Sequence, residues 1–598
     1  MERTIHGITW KDPLAWMEDM KGKRWKEFIK TEQEHWQTRV EKTKPLLRNQ
    51  LESELKNNEP FMFGNYGVQI AMKGTVNIAW RFEDRPEHKA IDVELCKKYP
   101  GFVWAVEEAP DSHGAEQYAL RLYVKERDTP VWKHSTPIAP TVAVVGNRIY
   151  CIEAKQKLVY FRVVSYNALK GDDRRIHYEE KDARYNLELI CCDCNSVIVR
   201  RQAGSKQDCM VIGVKGDVVM DDVSLESRRF VLSNERDCYF VWEHRTGWRM
   251  SKGLMKHGLQ FPSMNRSMNP EYIDCKRGWC ITRWKGERTL WKLSKHSPAR
   301  IMWQGMGQIL PDPYEGPMFR FTMPGCETVW WNSESDDFIP KPIGYSSSVM
   351  DTARGCRVVL VEPREKPVGL LITGYGAYGL STSMSTARWE PLLRRGWYVA
   401  IGCWRGGGDH SPEWEDSGRR HGRETVLEDV EDTIQILQEK THMKPKQTVL
   451  YGRSAGGLWV GGMVAKHSTG KLFGGVYMEV PYVDVLRTTT NHSLPLTDLE
   501  ADEFGLPSQR ISDFVSILKW SPMENLPAGG VKGVWQIVRT GLNDSEVYPY
   551  EAAKWVVRSG ELAYLAVEDG QGHFVSGNVG LKQRAEDLAV LLDLTKGK

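Results

Sequence analysis

The sequence predicts a doubly wound, mainly parallel α/β sheet in the C-terminal part of the chain, with an all-β insert ahead of it. Three observations carry this expectation. The chain has 598 residues, whereas a single hydrophobic core stops growing near ~250–300 residues. Its texture changes twice, near residues 61 and 345. And Gly452-Arg453-Ser454-Ala455-Gly456 sits between a strand-like run and a helix-period run.

Residues 1–61 read as helical, with charges on a 3.6-residue pattern around Trp25-Lys26-Glu27-Phe28-Ile29-Lys30 and Glu34-His35-Trp36. Residues 62–345 read as short β runs cut by turn residues. Thr141–Val145, Arg148–Ile152 and Leu158–Val164 follow one another across Gly146-Asn147 and a polar loop, as in an antiparallel meander. Further runs lie at Leu187–Ile190, Phe230–Leu232, Tyr239–Trp242 and Ile281–Trp284. A β-rich stretch of this size closes most readily as a propeller of ~40–50-residue blades, which predicts seven blades, or six. Residues 346–598 alternate strands and helices: Val368–Thr373, then a helix carrying Val426, Val430, Ile434 and Leu437, then Thr448–Tyr451. That alternation implies a parallel sheet with its ligand site at the carboxyl ends of the strands.

Composition narrows the function classes. Apolar residues make up 41% and charged residues 27% of the chain, which is ordinary globular usage. A net charge of +3 gives no field that would draw nucleic acid or a membrane surface. No run approaches the ~20 apolar residues of a membrane span. The first residues carry no apolar export segment, so a soluble, cytoplasmic protein is expected. The 12 cysteines lack paired zinc-ligand spacing and read as buried small hydrophobes, so neither metal nor cofactor is expected.

The chemistry concentrates at Ser454. A Gly-x-Ser-x-Gly turn between strand and helix is the nucleophile-elbow arrangement, with small neighbours where backbones approach closely. It places the Ala455 N–H at a helix start, where it can stabilise an oxyanion. A serine hydroxyl needs a base, and the base needs an orienting carboxylate. In this architecture the order is Ser, then Asp or Glu, then His. Asp544 and His573 fit, each in a loop after a strand-like run, and His492 is the competing downstream histidine.

Several motifs resemble the prolyl oligopeptidase family of serine peptidases, and within it the oligopeptidase B branch. They are His6-Gly7, Asp12-Pro13-Leu14-Ala15-Trp16-Met17-Glu18-Asp19, Gly374-Tyr375-Gly376, Trp404-Arg405-Gly406-Gly407-Gly408-Asp409, Val480-Pro481-Tyr482-Val483-Asp484 and Ser493-Leu494-Pro495-Leu496-Thr497. The resemblance implies an α/β-hydrolase domain built from both chain ends and capped by a seven-bladed propeller. It implies Ser454, Asp544 and His573 as triad, with the Tyr375 hydroxyl beside the Ala455 N–H as second oxyanion donor. It makes Glu500, Asp502 and Tyr378 candidates for substrate binding, the two carboxylates as readers of Arg or Lys. The implied partners are short peptides; the oligomeric state stays open.

Three positions depart from the family pattern. Glu546 stands two residues after Asp544, where an Arg usually holds a substrate carbonyl; a carboxylate there would attract a cation instead. Arg453 replaces a small residue before the serine, and Phe574 follows His573 where Gly is usual. An esterase or acyl transferase using the same residues, or an inactive propeller interaction protein, remain as alternatives.

Overall fold

The computed structural model describes residues 2–58, most of 90–334, 344–574 and 577–596. The expected boundary at residues 61 and 62 lies outside the described residues.

The N-terminal segment corrects the helical expectation at its start. Glu2–Ile5 and Ile8–Lys11 form an antiparallel hairpin. It turns on His6 and Gly7, both at positive φ (53° and 75°), the backbone of a two-residue turn that matches strand twist. Helices follow at Lys23–Glu41 and Pro45–Asn58. The first buries Trp25, Ile29, Trp36 and Val40, spaced so that one stripe faces inward.

Six antiparallel sheets succeed one another in the described part of the insert. Five have four strands, spanning 90–133, 143–179, 186–220, 229–260 and 269–306; the sixth, 308–332, has three. The meander expected near residue 150 is present as Ala143–Val145, Arg148–Gln156 and Val159–Asn167. First strands of the first five sheets lie side by side, Ala90–Leu95 against Ala143–Val145 and so on to Asn269–Asp274. This radial succession is the propeller pattern.

The C-terminal sheet has eight strands. In spatial order they are Ser347–Asp351, Arg357–Val361, Trp397–Cys403, Gly369–Gly374, Thr448–Arg453, Gly475–Glu479, Trp535–Gly541 and Ala563–Glu568. The first two pairings are antiparallel and the other five parallel. Their apolar runs are buried on both faces, as a helix-covered parallel sheet requires. On one face Val426, Val430, Ile434 and Leu437 pack with Val460, Met463 and Trp555. On the other, Leu588 and Leu592 pack with Trp36, Val40, Leu51 and Leu55 of the N-terminal helices.

Both chain ends therefore share one core, and buried ion pairs join them. Lys554 Nζ lies 2.8 Å from Asp12, 2.8 Å from Glu18 and 2.9 Å from Asp484. Arg487 and Arg3 also reach Glu18, at 2.8 and 2.6 Å. Burial alone would raise the Glu18 carboxyl, but the hydrogen bonds and charges of Arg487 and Lys554 hold it down at about 2. A buried Lys with three carboxylates around it leaves no cation unpaired, so removing any one partner is costly. The insert meets this domain through its hairpin at residue 285. The Gly286 N–H donates to the Asp409 carbonyl at 2.5 Å, and Arg357 donates to the Lys285 carbonyl at 3.0 Å.

Candidate active site

Ser454 stands at the end of Thr448–Arg453 with φ at 53°, a left-handed conformation that is strained for a residue with a side chain. Its N–H donates to the Glu479 carbonyl on the neighbouring strand at 2.9 Å. The turn requires its glycine: a Cβ on Gly452 would stand 2.3 Å from the Gly456 carbonyl oxygen. Helix Gly456–Lys466 starts immediately after, so the Ala455 N–H points from a helix N-terminus.

Asp544 and His573 come from the loops after the strands Trp535–Gly541 and Ala563–Glu568. His573 Nε2 lies 3.0 Å from Ser454 Oγ, and Nδ1 lies 2.8 Å from Asp544 Oδ2. The other Asp544 oxygen accepts from the N–H groups of Glu546 and Val547 at 3.0 and 2.9 Å. His573 and Asp544 are buried, with side chains 1% and 0% exposed. A buried carboxylate satisfied on both oxygens fixes the imidazole ring so that Nδ1 carries the proton and Nε2 faces the serine. His492 is elsewhere, exposed and bonded to Asp498 and Ser508 at 2.6 and 2.7 Å.

Tyr375 and Ala455 border the space beside Ser454, in a cavity of about 210 Å³. The Tyr375 loop lies close because Gly374 has no side chain; a Cβ there would stand 2.1 Å from the Trp404 indole nitrogen. Burial, reinforced by the nearby Glu546 charge, pushes the Tyr375 hydroxyl up to about 12. It is therefore a proton donor at neutral pH, not a phenolate.

Tyr378, Tyr482, Glu500, Glu546 and Tyr548 line the same cavity. Glu500 accepts a hydrogen bond from Tyr378 at 2.7 Å. Burial pushes its carboxyl up to about 8; the Tyr378 bond opposes this, and the charges of Glu503, Glu551 and Glu546 add to it. Glu546 Oε2 lies 3.4 Å from His573 Nε2.

Asp502, expected to support Glu500, is not among the cavity-lining residues. Its carboxylate pairs with Arg419 at 3.0 Å and Arg420 at 2.5 Å. Glu500 caps the start of the short helix Ala501–Phe504, which carries Asp502 and Glu503 and whose turn sends adjacent residues in different directions. Glu503 also faces away, into a buried pairing with Arg419 and Arg423. Of the four acidic side chains from Asp498 to Glu503, Glu500 is the one that lines the cavity.

Sequence reasoning missed two supporting groups. Glu479 takes Arg388 and Tyr451 at 2.7 Å each, and Tyr477, beneath the elbow. Glu551 accepts from the Val483 and Asp484 N–H groups at 3.0 and 2.9 Å and from Thr488 at 2.9 Å, fixing the loop that carries Tyr482. Both are single carboxylates whose partners, apart from Tyr477, lie at least 28 positions away in sequence.

Residues 383–596 match the prolyl oligopeptidase family. Protease 2 of Moraxella lacunata is 30% identical over 279 residues, 45% of this chain and 37% of that protein. Dipeptidyl aminopeptidase BI of Pseudoxanthomonas mexicana is 30% identical over 239 residues, 38% of this chain and 32% of that protein. The chain thus matches about a third of the length of these curated relatives. Oligopeptidase B from Leishmania major superposes with a TM-score of 0.82 at 18% identity, over 98% of this chain and 94% of that one. The shared fold is an α/β-hydrolase domain with a β-propeller. Residues 383–596, the segment that supplies Ser454, Asp544 and His573, are the part of the chain that matches the prolyl oligopeptidase family.

Proposed function

We propose that this protein is a serine peptidase that hydrolyses short peptides through an acyl-enzyme, cutting after Arg or Lys. The observation that carries the proposal is the hydrogen-bonded line Ser454–His573–Asp544, opening on a cavity lined by Glu500. His573 Nε2 takes the Ser454 proton as Oγ attacks the peptide carbonyl, and Asp544 stabilises the imidazolium that forms. The Ala455 N–H and Tyr375 hydroxyl meet the developing oxyanion. His573 then protonates the departing amine, and water releases the acyl group by the same steps.

Glu500 supports the specificity. A guanidinium or ammonium in a half-buried cavity needs a carboxylate partner. Glu546 supports a second preference for positive charge, in a P2 side chain or a nearby amino terminus. The six sheets support a propeller of at least six blades, and an insert of this length at ~40 residues per blade favours seven. Placed over the site, it would admit peptides and exclude folded proteins. Among the described residues, the thiols of Cys151, Cys326, Cys356 and Cys403, three of them buried, form no disulfide and suit a reducing, cytoplasmic setting. A peptide-library digest read by mass spectrometry tests the whole reading. Cuts after Arg and Lys in short peptides, with folded proteins spared, are expected; cuts confined to apolar or proline P1 sites would overturn the specificity.

The elevated Glu500 carboxyl makes cation binding pH-dependent with a definite sign. Between its ordinary range and about 8 the empty site is mostly protonated, so an entering cation must expel that proton. Affinity therefore rises with pH and levels off above about 8. The inhibition constant of benzamidine is expected to fall about tenfold from pH 6 to 7, in step with proton release. Glu500→Gln should flatten this profile and raise KM for arginine substrates roughly 10- to 100-fold, the loss of ~1.5–3 kcal/mol for a charge-assisted bond. A profile that stays steep in Glu500→Gln would assign the titration to another group.

A further inference from the structure

Arg453 and Phe574, which flank Ser454 and His573 in the sequence, meet in the structure. The Arg453 guanidinium donates to the His573 carbonyl oxygen, and its centre lies 4.6 Å from the centroid of the Phe574 ring. That ring stands edge-on to the His573 imidazole, with centroids 5.2 Å apart. Arg453 and Glu479 are register partners on adjacent parallel strands, and Arg453 Nε lies 3.8 Å from the Glu479 carboxylate. Glu479 stays ionised: burial alone would raise it, but Arg388 foremost, with Arg584 and Arg453, holds it well below the usual carboxylate range.

We infer that Arg453 and Phe574 form a clamp that fixes the backbone and ring of His573 relative to Ser454. The inference rests on the peptidase reading above. His573 lies in the loop between strand Ala563–Glu568 and helix Gly577–Lys596. On one side that loop is tied by the Asn543 N–H to the Gln571 carbonyl at 2.8 Å. On the other side the tie is Arg453, the residue directly before the nucleophile. One side chain thereby links the serine strand to the carbonyl of the base, so the two reacting groups share a support. A planar guanidinium can donate in its plane while stacking on an aromatic face; an ammonium cannot do both with the same geometry. Phe574 is 59% exposed, which makes a core-packing role a poor account of it. Arg453 and Phe574 are positioning residues: neither lines the substrate cavity.

The test uses the full chain and three readouts: turnover of a blocked arginine 4-nitroanilide, the rate of fluorophosphonate labelling, and the benzamidine inhibition constant. Arg453→Met, which keeps the stem and loses the donors, should lower kcat and labelling roughly 10- to 100-fold, the scale of a small misplacement of a reacting group. The benzamidine constant and the melting temperature should stay near those of the parent. Arg453→Lys should recover only part of the rate, and Phe574→Tyr should retain nearly all of it. Phe574→Leu should fall in the same direction by a smaller factor. The double variant Arg453→Met/Phe574→Leu should be little worse than Arg453→Met, because the two groups act as one. Since Phe574 is exposed, its variants test the clamp even if Arg453→Met folds poorly. Rates within threefold of the parent in Arg453→Met or, should that variant fail to fold, in Phe574→Leu would overturn the clamp. So would a parallel loss of benzamidine affinity and melting temperature. A parent chain that is not labelled at all would overturn the peptidase reading and the clamp together.

Discussion

Ser454→Ala is expected to lower kcat by about 10⁶-fold while leaving substrate binding intact. The exchange removes one oxygen from the elbow and no core volume. The 53° φ is equally demanding for alanine, so the turn keeps its strain and its shape. Asp544, His573 and the cavity keep their other partners, and the benzamidine inhibition constant should not move. The measurement is steady-state turnover of the parent and the variant, paired with fluorophosphonate labelling at a single site. Loss of labelling together with turnover identifies Ser454 as the nucleophile. Residual turnover above about a thousandth of the parent rate would place the nucleophile elsewhere, since the oxyanion donors alone give only a weak background.

Tyr375→Phe should cost about 10²–10³ in kcat, the ~3–4 kcal/mol of one oxyanion donor. The phenyl ring fills the same space, so its packing near Tyr378, at a centroid distance of 6.5 Å, survives. What disappears is a proton held ready by burial, on a hydroxyl that ionises only near 12. Because that donor meets charge only as the carbonyl becomes tetrahedral, the loss should fall on kcat and leave KM nearly unchanged. Glu500 takes its hydrogen bond from Tyr378 and not from Tyr375, so cation binding should be spared. An unchanged kcat at saturating substrate would remove Tyr375 from the chemistry and leave Ala455 as the donor to examine.

The parts legible in the sequence are those fixed by local geometry. Gly452, Ser454 and Gly456 announce a turn that only small neighbours can make, and the order Ser454, Asp544, His573 follows from strands that end at one edge. Asp502 was misplaced because a run of carboxylates says nothing about which way a short helix turns each one. The hairpin at residues 2–11 hides in a charged opening whose only mark is His6-Gly7. Glu479 and the Lys554 cluster leave no local mark because most of their partners are far away along the chain: Lys554 and Asp12 are separated by 542 positions. Arg453 and Phe574 read as two unrelated oddities until the fold lays the Arg453 guanidinium over the Phe574 ring.

The joining of both chain ends in one core also sets a timetable for synthesis. Arg39 pairs with Asp593, 554 residues later, at 2.6 Å. At roughly 5–20 residues per second, a ribosome needs about half a minute to two minutes to deliver that partner. During this interval Trp36 and Val40 lack Leu588 and Leu592, against which they pack in the finished core. The sheets of the insert, whose strands pair with near neighbours in sequence, can fold meanwhile. A helix made late is thus what allows a helix made more than 500 residues earlier to settle. A ribosome that stalls before helix Gly577–Lys596 leaves an early-made apolar surface incompletely covered, and that nascent chain is a natural client for a chaperone.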